Sequence, residues 1–116
     1  MSRMPTTADA FNAVAEPRRR EILDLLAVAE RPVGDLVERT GMGQPQVSKH
    51  LRVLREVGAV RSRHQGRRRL YRLDPGALRP IFEWVSPYQR LWEERFEQLD
   101  DVLAEMKEEE GDGNDG

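Results

Sequence analysis

The segment from Gln44 to Val57 constrains the fold of this chain more than any other, because its apolar residues recur with the period of a helix. They lie four and three positions apart, which places them on one helical face. That apolar face consists of Val47, Leu51 and Leu54. The opposite face is polar and cationic and carries Gln46, Lys49 and Arg52. The segment is therefore predicted to be a helix that docks through one side and leaves a basic side free.

A basic β-hairpin is predicted directly after this helix. Gly58 ends the helix, and the runs AVRSRH and RRLYRLD read as two strands joined through residues 65–67, where a glycine supplies the tight bend. Residues 44–72 hold nine Lys and Arg against the single Glu56. This density of positive charge indicates a polyanionic partner.

Two short helices and one or two further helical turns are predicted before the basic segment. The first helix spans residues 7–15, and the second runs from Pro17, which is tolerated at a first helical position, to about Ala29. The helical turns over residues 34–40 stop at Gly41. Arginines 18–20 crowd a helix start, where the helix dipole disfavours cations, so they either contact phosphate or form a solvated end.

Together these elements predict a mainly α fold with a small β-hairpin, a winged helix-turn-helix over residues 7–74. In this fold the second helix of the pair lies in the major groove of DNA and the hairpin after it forms a wing. The cationic helix face is then expected to reach base edges through Gln46, Lys49 and Arg52. Ser48 and the hairpin arginines are expected to hold phosphates.

A long helical region is predicted from residue 75 to about Glu109, within the same compact domain and with a break near Ser86 and Pro87. Its apolar residues recur at threes and fours, close to a heptad, with acidic residues on the outside. These residues are Leu78, Phe82, Val85, Trp92, Phe96, Leu99, Leu103 and Met106. The residues from 110 to 116 are expected to form a disordered acidic tail.

This long helix is also a predicted dimerisation element, because it is longer than a small winged domain can cover by itself. We expect it to pack against its symmetry mate, together with Phe11 and Val14 of the first helix. The dimer contacts are then Trp92, Phe96, Leu99 and Leu103. An effector pocket around Trp84 and Trp92 is the alternative use of the same apolar seam.

Charge and composition narrow the function classes. Residues 1–73 hold 15 Lys and Arg against 8 Asp and Glu, a net charge of +7, whereas residues 74–116 hold 4 against 13, a net charge of −9.

With no cysteine and two histidines, neither a thiolate metal site nor a cysteine nucleophile can form, and no cofactor is expected. The chain has no apolar run of the roughly 20 residues that cross a bilayer and no apolar signal stretch, so a cytoplasmic protein is expected. No catalytic constellation can be assembled from its motifs.

The chain resembles the ArsR/SmtB winged-helix repressor family over roughly residues 8–73. The resemblance lies in the runs QPQVSKHLRVLREVGAV and RHQGRRRLYRL and in the upstream runs EPRRREILDLL and PVGDLVERTG. The later run WVSPYQRLWEERFEQLDDVL is similar to the C-terminal dimerisation helix of a metal-independent subgroup. The resemblance implies a homodimeric bacterial transcription factor, usually a repressor, on an inverted-repeat operator. By position it places Gln44, Gln46, Ser48, Lys49, His50 and Arg52 in the recognition helix and Arg67, Arg68 and Arg69 in the wing.

Two departures from the family pattern matter. Gly43 stands where the family commonly has a serine, which makes it a weaker helix cap by a few tenths of a kcal/mol. The family's metal sensors use cysteines before the recognition helix, or paired His and acidic ligands on the C-terminal helix, and neither set exists here. Metal sensing through those sites is therefore excluded, while His50 is either a DNA contact or a half-buried histidine bonded to the backbone.

A protein-interaction module that has lost DNA binding is the rival interpretation of the same fold. Such a module has no need of nine cations between residues 44 and 72, which favours the DNA-binding function. Binding to duplex DNA of random sequence at low salt separates the two hypotheses.

Overall fold

The computed structural model describes residues 7–114, with side chains described for residues 10–109. Helices and one hairpin dominate this part of the chain, as the sequence predicts. The elements in order are α1 (Thr7–Ala15), α2 (Pro17–Val28), β1 (Arg31–Pro32), α3 (Val33–Thr40), α4 (Gln44–Glu56), β2 (Val60–Gln65), β3 (Arg68–Leu73), a 3-10 turn (Pro75–Leu78) and α5 (Arg79–Asn114).

Local sequence signals set the ends of the short helices. At the start of α2 the Glu16 carboxylate accepts a hydrogen bond from the backbone N–H of Arg18 at 3.2 Å, and Pro17 occupies the first turn. α3 ends at Gly41, whose φ of +74° lies in the left-handed region that glycine adopts freely. Gly43 precedes α4 and supplies no side-chain cap, in agreement with the weak cap predicted there.

The first four helices and the hairpin enclose a single apolar core. Ile22 of α2, Leu36 of α3 and both Val47 and Leu54 of α4 are fully buried. Val60 of β2 joins them from the hairpin, which ties the wing to the helices. Because Val47, Leu51 and Leu54 are all buried, one face of α4 is fixed against the core and its opposite face must point outward.

The hairpin belongs to a three-stranded antiparallel sheet in the order β1-β3-β2, one strand more than the sequence predicts. β2 and β3 pair from Val60 with Leu73 to Gln65 with Arg68. Gly66 is the first of the two turn residues and has a φ of +62°, as a type II′ turn requires. The additional strand, β1, pairs its two residues with Leu70 and Tyr71. A two-residue strand that contains a proline has no periodicity from which it could be predicted.

The long C-terminal helix is continuous through Pro87, so the predicted break at Ser86–Pro87 is wrong. A proline inside a helix removes the hydrogen bond to the carbonyl four residues before it, here that of Glu83. The Ser86 hydroxyl donates to this same carbonyl at 3.3 Å and replaces part of the lost bonding.

The helix also extends further than predicted. α5 is helical as far as Asn114, while the disordered tail that the sequence predicts for residues 110–116 stays a prediction. Glutamate and lysine are good helix formers, so their run from Glu105 to Glu110 favours the helix, whereas Gly111 and Gly113 do not. Residues 115 and 116 of the predicted tail lie outside the described residues.

The described residues divide into two compact units between Ile81 and Phe82. The first unit contains the helix-turn-helix, its wing and the start of the long helical region predicted from residue 75. The second unit is the remainder of α5.

Candidate nucleic-acid interface

Five of the six α4 residues that the sequence assigned to DNA binding are exposed. Gln44, Gln46, Ser48, Lys49 and Arg52 are all exposed. None of these five side chains makes a hydrogen bond or ion pair with another described residue, so their donors and acceptors remain available. The buried face holds the helix rigidly, and the exposed face is therefore a preformed polar surface with two cations, Lys49 and Arg52.

His50 lies at the edge of this face and is half-buried. Its Nδ1 atom is buried and has no hydrogen-bond partner within the described residues. Burial, followed by the positive charge of Arg19, lowers the pKa of His50 below its usual range. The sequence left open whether His50 contacts DNA or is a half-buried histidine bonded to the backbone. Its position agrees with the half-buried histidine, but Nδ1 does not form the backbone hydrogen bond.

The three arginines predicted at the tip of the wing differ in their surroundings. Arg67 lies in the turn, and Arg68 and Arg69 begin β3; all three are exposed. Arg69 donates from Nε to the Ser62 hydroxyl at 3.1 Å, and its guanidinium lies 5.4 Å from the centre of the Tyr71 ring. Arg69 is therefore held along the sheet, whereas Arg67 and Arg68 make no side-chain hydrogen bond within the described residues.

Two further arginines hold the wing in place. Arg63 of β2 donates to both carboxylate oxygens of Glu30, at 2.9 and 2.7 Å, in a bidentate pair. This pair lowers the pKa of the Glu30 carboxyl and raises that of the Arg63 guanidinium. At the base of the wing, Arg61 donates from Nε to Asp74 at 2.6 Å, which lowers the pKa of Asp74.

The sequence suggested that the arginines at the start of α2 either contact phosphate or form a solvated end. In the structure two of them bond to α1 instead. Arg19 donates to the carbonyl oxygens of Ala13 at 2.7 Å and Asn12 at 2.9 Å, and Arg20 donates to that of Val14 at 2.7 Å. These carbonyls belong to the last turn of α1, where the helix leaves acceptors unpaired and its dipole favours cations. Arg19 and Arg20 therefore cap α1.

A groove between the end of α4 and the start of β2 contains residues that the sequence analysis did not select. It has a volume of about 520 Å³ and is lined by Arg52, Arg55, Glu56, Gly58, Val60, Arg61 and Ser62. Three guanidinium groups therefore line it against one carboxylate. The spacing of the arginines could have identified it. Arg55 follows Arg52 by three residues, which places both on one side of α4, close to the point where the chain enters the wing.

The apolar residues of α5 are exposed where the sequence predicted a dimer contact. Trp92 is 47% exposed, Phe96 62%, Leu99 52% and Leu103 50%. The exposed rings of Trp84, Tyr88 and Trp92 follow one another along the helix, with centroids 5.9 and 6.3 Å apart. Phe11 and Val14, the dimer contacts predicted on α1, are half-buried.

Neither a metal centre nor a membrane span is found in the described part of the chain. No three His, Cys, Asp or Glu side chains among the described residues are grouped to hold a metal ion. No described helix combines the length and the hydropathy that crossing a bilayer requires.

A helix-turn-helix with a basic outward face, followed by a basic antiparallel wing, defines a winged-helix DNA-binding protein. Comparison with known proteins identifies its family. Residues 16–62 match the model of the family described as "Bacterial regulatory protein, arsR family". The transcriptional repressor SdpR of Bacillus subtilis (strain 168) is 30% identical over 77 residues, which cover 66% of this chain and 86% of SdpR. The chain therefore belongs to the ArsR family and is a DNA-binding transcriptional regulator, not an enzyme.

Further relatives agree with this assignment. The HTH-type transcriptional regulator Rv2034 of Mycobacterium tuberculosis (strain ATCC 25618 / H37Rv) is 41% identical over 69 residues, 60% of this chain and 64% of that protein. The structure of the homodimeric winged helix-turn-helix DNA-binding domain of Mb0332 from Mycobacterium bovis matches with a TM-score of 0.60 and 35% identity, covering 78% of this chain and 82% of that one. The crystal structure of the ArsR family transcriptional regulator RHA00566 matches with a TM-score of 0.64 and 30% identity, covering 80% and 97%.

Proposed function

We propose that this protein is a homodimeric repressor that binds an inverted-repeat operator, with α4 in the major groove and the wing against the DNA backbone. One observation carries the proposal: α4 buries Val47, Leu51 and Leu54 and exposes a row of polar and cationic side chains that have no partner among the described residues. A rigid helix with free donors and acceptors on its outward face is suited to reading base edges.

In this proposal Gln46, Lys49 and Arg52 select the sequence. An amide side chain such as that of Gln46 can form two hydrogen bonds with adenine, donating one and accepting the other. Lys and Arg donate hydrogen bonds to the acceptors of guanine. Gln44 and Ser48 flank this row and contact phosphates, which fix the helix in register without carrying sequence information. His50 lies at the inner edge of the row and comes last among the proposed contacts.

The wing arginines supply affinity in the same proposal. Arg67 and Arg68, with free guanidinium groups at and beside the turn, contact the backbone or the minor groove, and Arg69 contributes charge from the sheet. Such contacts release counterions and act on any DNA sequence. The bidentate pair between Arg63 and Glu30 supports this role because it holds the wing against the helical body.

A second copy of this chain is the proposed partner of α5. Exposed apolar residues in a continuous stripe mark an interaction surface rather than ordinary surface composition. The proposed contacts are Trp92, Phe96, Leu99 and Leu103 on α5, with Phe11 and Val14 on α1. The homodimeric Mb0332 domain supports this partner over an unrelated protein, and two half-sites of an inverted repeat require a two-fold arrangement.

The regulator is further proposed to act in the cytoplasm and to work without metal. The absence of cysteine from the sequence supports metal independence, because thiolates are the ligands that soft metal ions prefer.

Footprinting on the DNA that flanks the gene of this protein tests the proposed function. A protected inverted repeat next to the promoter is the expected result. If the protein binds neither this DNA nor random duplex DNA at low salt, the proposal is rejected in favour of a protein-interaction module.

A further inference from the structure

The groove between α4 and β2 shares Arg52 with the row formed by Gln46, Lys49 and Arg52, but its shape differs from that of this row and of the turn of the wing. It is concave, and guanidinium groups from two elements line it: Arg52 and Arg55 from the end of α4, and Arg61 from β2. Ser62 also lines it. A recess with several cationic side chains suits a single phosphate better than a base edge, because a phosphate oxygen accepts several charge-assisted hydrogen bonds at once.

The donors of this groove differ in how they are held. The side chain of Arg55 is exposed and makes no hydrogen bond or ion pair with another described residue. Arg61 is held through Nε alone, by the Asp74 carboxylate at 2.6 Å. Asp74 is itself fixed, since its backbone N–H donates to Ala59 at 2.8 Å and its other carboxylate oxygen accepts from the N–H of Gly76 at 3.1 Å. The two terminal nitrogens of Arg61 therefore stay available while the side chain keeps its orientation.

We propose that this groove holds one backbone phosphate of bound DNA, with Arg55 and Arg61 as its joint ligands and Asp74 as a positioning residue for Arg61. The inference rests on the proposed DNA binding and adds to it a phosphate seat at the junction of helix and wing. With Glu56 in the groove and Asp74 paired to Arg61, three guanidinium groups stand against two carboxylates, and the remaining positive charge attracts an anion.

The salt dependence of binding to a labelled random-sequence duplex tests this proposal with Arg55→Gln, Arg61→Gln and the double variant. The slope of log K against log salt changes by about 0.9 for each phosphate that is no longer neutralised. If both arginines hold the same phosphate, either one still neutralises it alone. Each single variant is then expected to change the slope only slightly, and the double variant by about 0.9 per protomer, with affinity about eightfold weaker per protomer at 0.1 M salt.

Arg90→Gln is the matched control, because it removes the same charge from an exposed position of α5. It is expected to leave the slope unchanged, and urea unfolding is expected to show that every variant remains folded. A double variant with the wild-type slope would overturn the phosphate seat. Two single variants that each change the slope by 0.9, adding to about 1.8 in the double variant, would show two separate contacts and overturn the shared seat. Wild-type protein that does not bind the duplex would instead overturn the proposed function itself.

Discussion

Leu99→Asp is expected to dissociate the proposed dimer. Complete burial of a leucine side chain contributes about 1.5 to 3 kcal/mol. Leu99 is 52% exposed in the single chain, so burying this exposed half in the dimer contributes about 1 kcal/mol. A two-fold interface contains the residue twice, which gives about 2 kcal/mol, or a roughly 30-fold weaker dimer. This is a lower bound, because the aspartate also brings a charge into an apolar contact.

Light scattering after size exclusion, over a dilution series around micromolar concentration, measures this effect. Ala104→Asp is the matched control, since it introduces the same charge about 140° around the helix from Leu99. The control is expected to remain dimeric, and circular dichroism is expected to show equal helix content in both variants. Wild-type protein that is monomeric at micromolar concentration, or a Leu99→Asp variant as dimeric as wild type, would refute the assignment of this face.

Three further outcomes are expected. Micromolar zinc leaves DNA affinity unchanged; a tenfold loss that a chelator reverses would reveal a metal site, with His50 and His64 the first residues to test. The stability of the protein falls as the pH decreases below about 6.5, because the unfolded chain binds a proton at His50 that the folded chain resists; urea unfolding from pH 7.5 to 5 checks this, and an unaltered pH dependence in His50→Gln would contradict it. Leu54→Ala lowers the free energy of unfolding by about 2 to 5 kcal/mol, because Leu54 is fully buried; a loss below 1 kcal/mol in denaturant titration would contradict the assigned core.

The sequence predicted the elements whose signals are local. The predicted helix from Gln44 to Val57 differs from α4 by one residue, since its apolar spacing and the following glycine define both its face and its end. The hairpin was predicted for the same reason, with Gly66 marking the turn. The exposed face of α4 follows directly from its buried face, so the placement of Gln46 and Lys49 on the surface was also predictable.

Features that depend on contacts between distant residues were not predictable. β1 exists because Arg31 and Pro32 meet the edge of β3, some forty residues later in the chain. The caps that Arg19 and Arg20 place on α1 require two helices to meet at a particular angle, for which a run of arginines gives no signal. The continuity of α5 through Pro87 was missed for a different, local reason: Ser86 and Pro87 are also typical of a new helix start, and the Ser86 hydroxyl bonds the carbonyl of Glu83 instead.

The relative DNA affinity of Gln46→Ala tests the central claim most directly, because this substitution changes no charge and leaves phosphate binding intact. The measurement compares binding to the footprinted operator and to a random duplex at one salt concentration. If the outward face of α4 reads sequence, operator binding weakens by about 1 to 3 kcal/mol while random binding is unchanged. Replacing Arg67, Arg68 and Arg69 by glutamine is expected to weaken both equally. If operator preference survives in Gln46→Ala and in the matching Arg52→Ala but is lost with the wing arginines, the wing reads the sequence and the account of α4 is wrong.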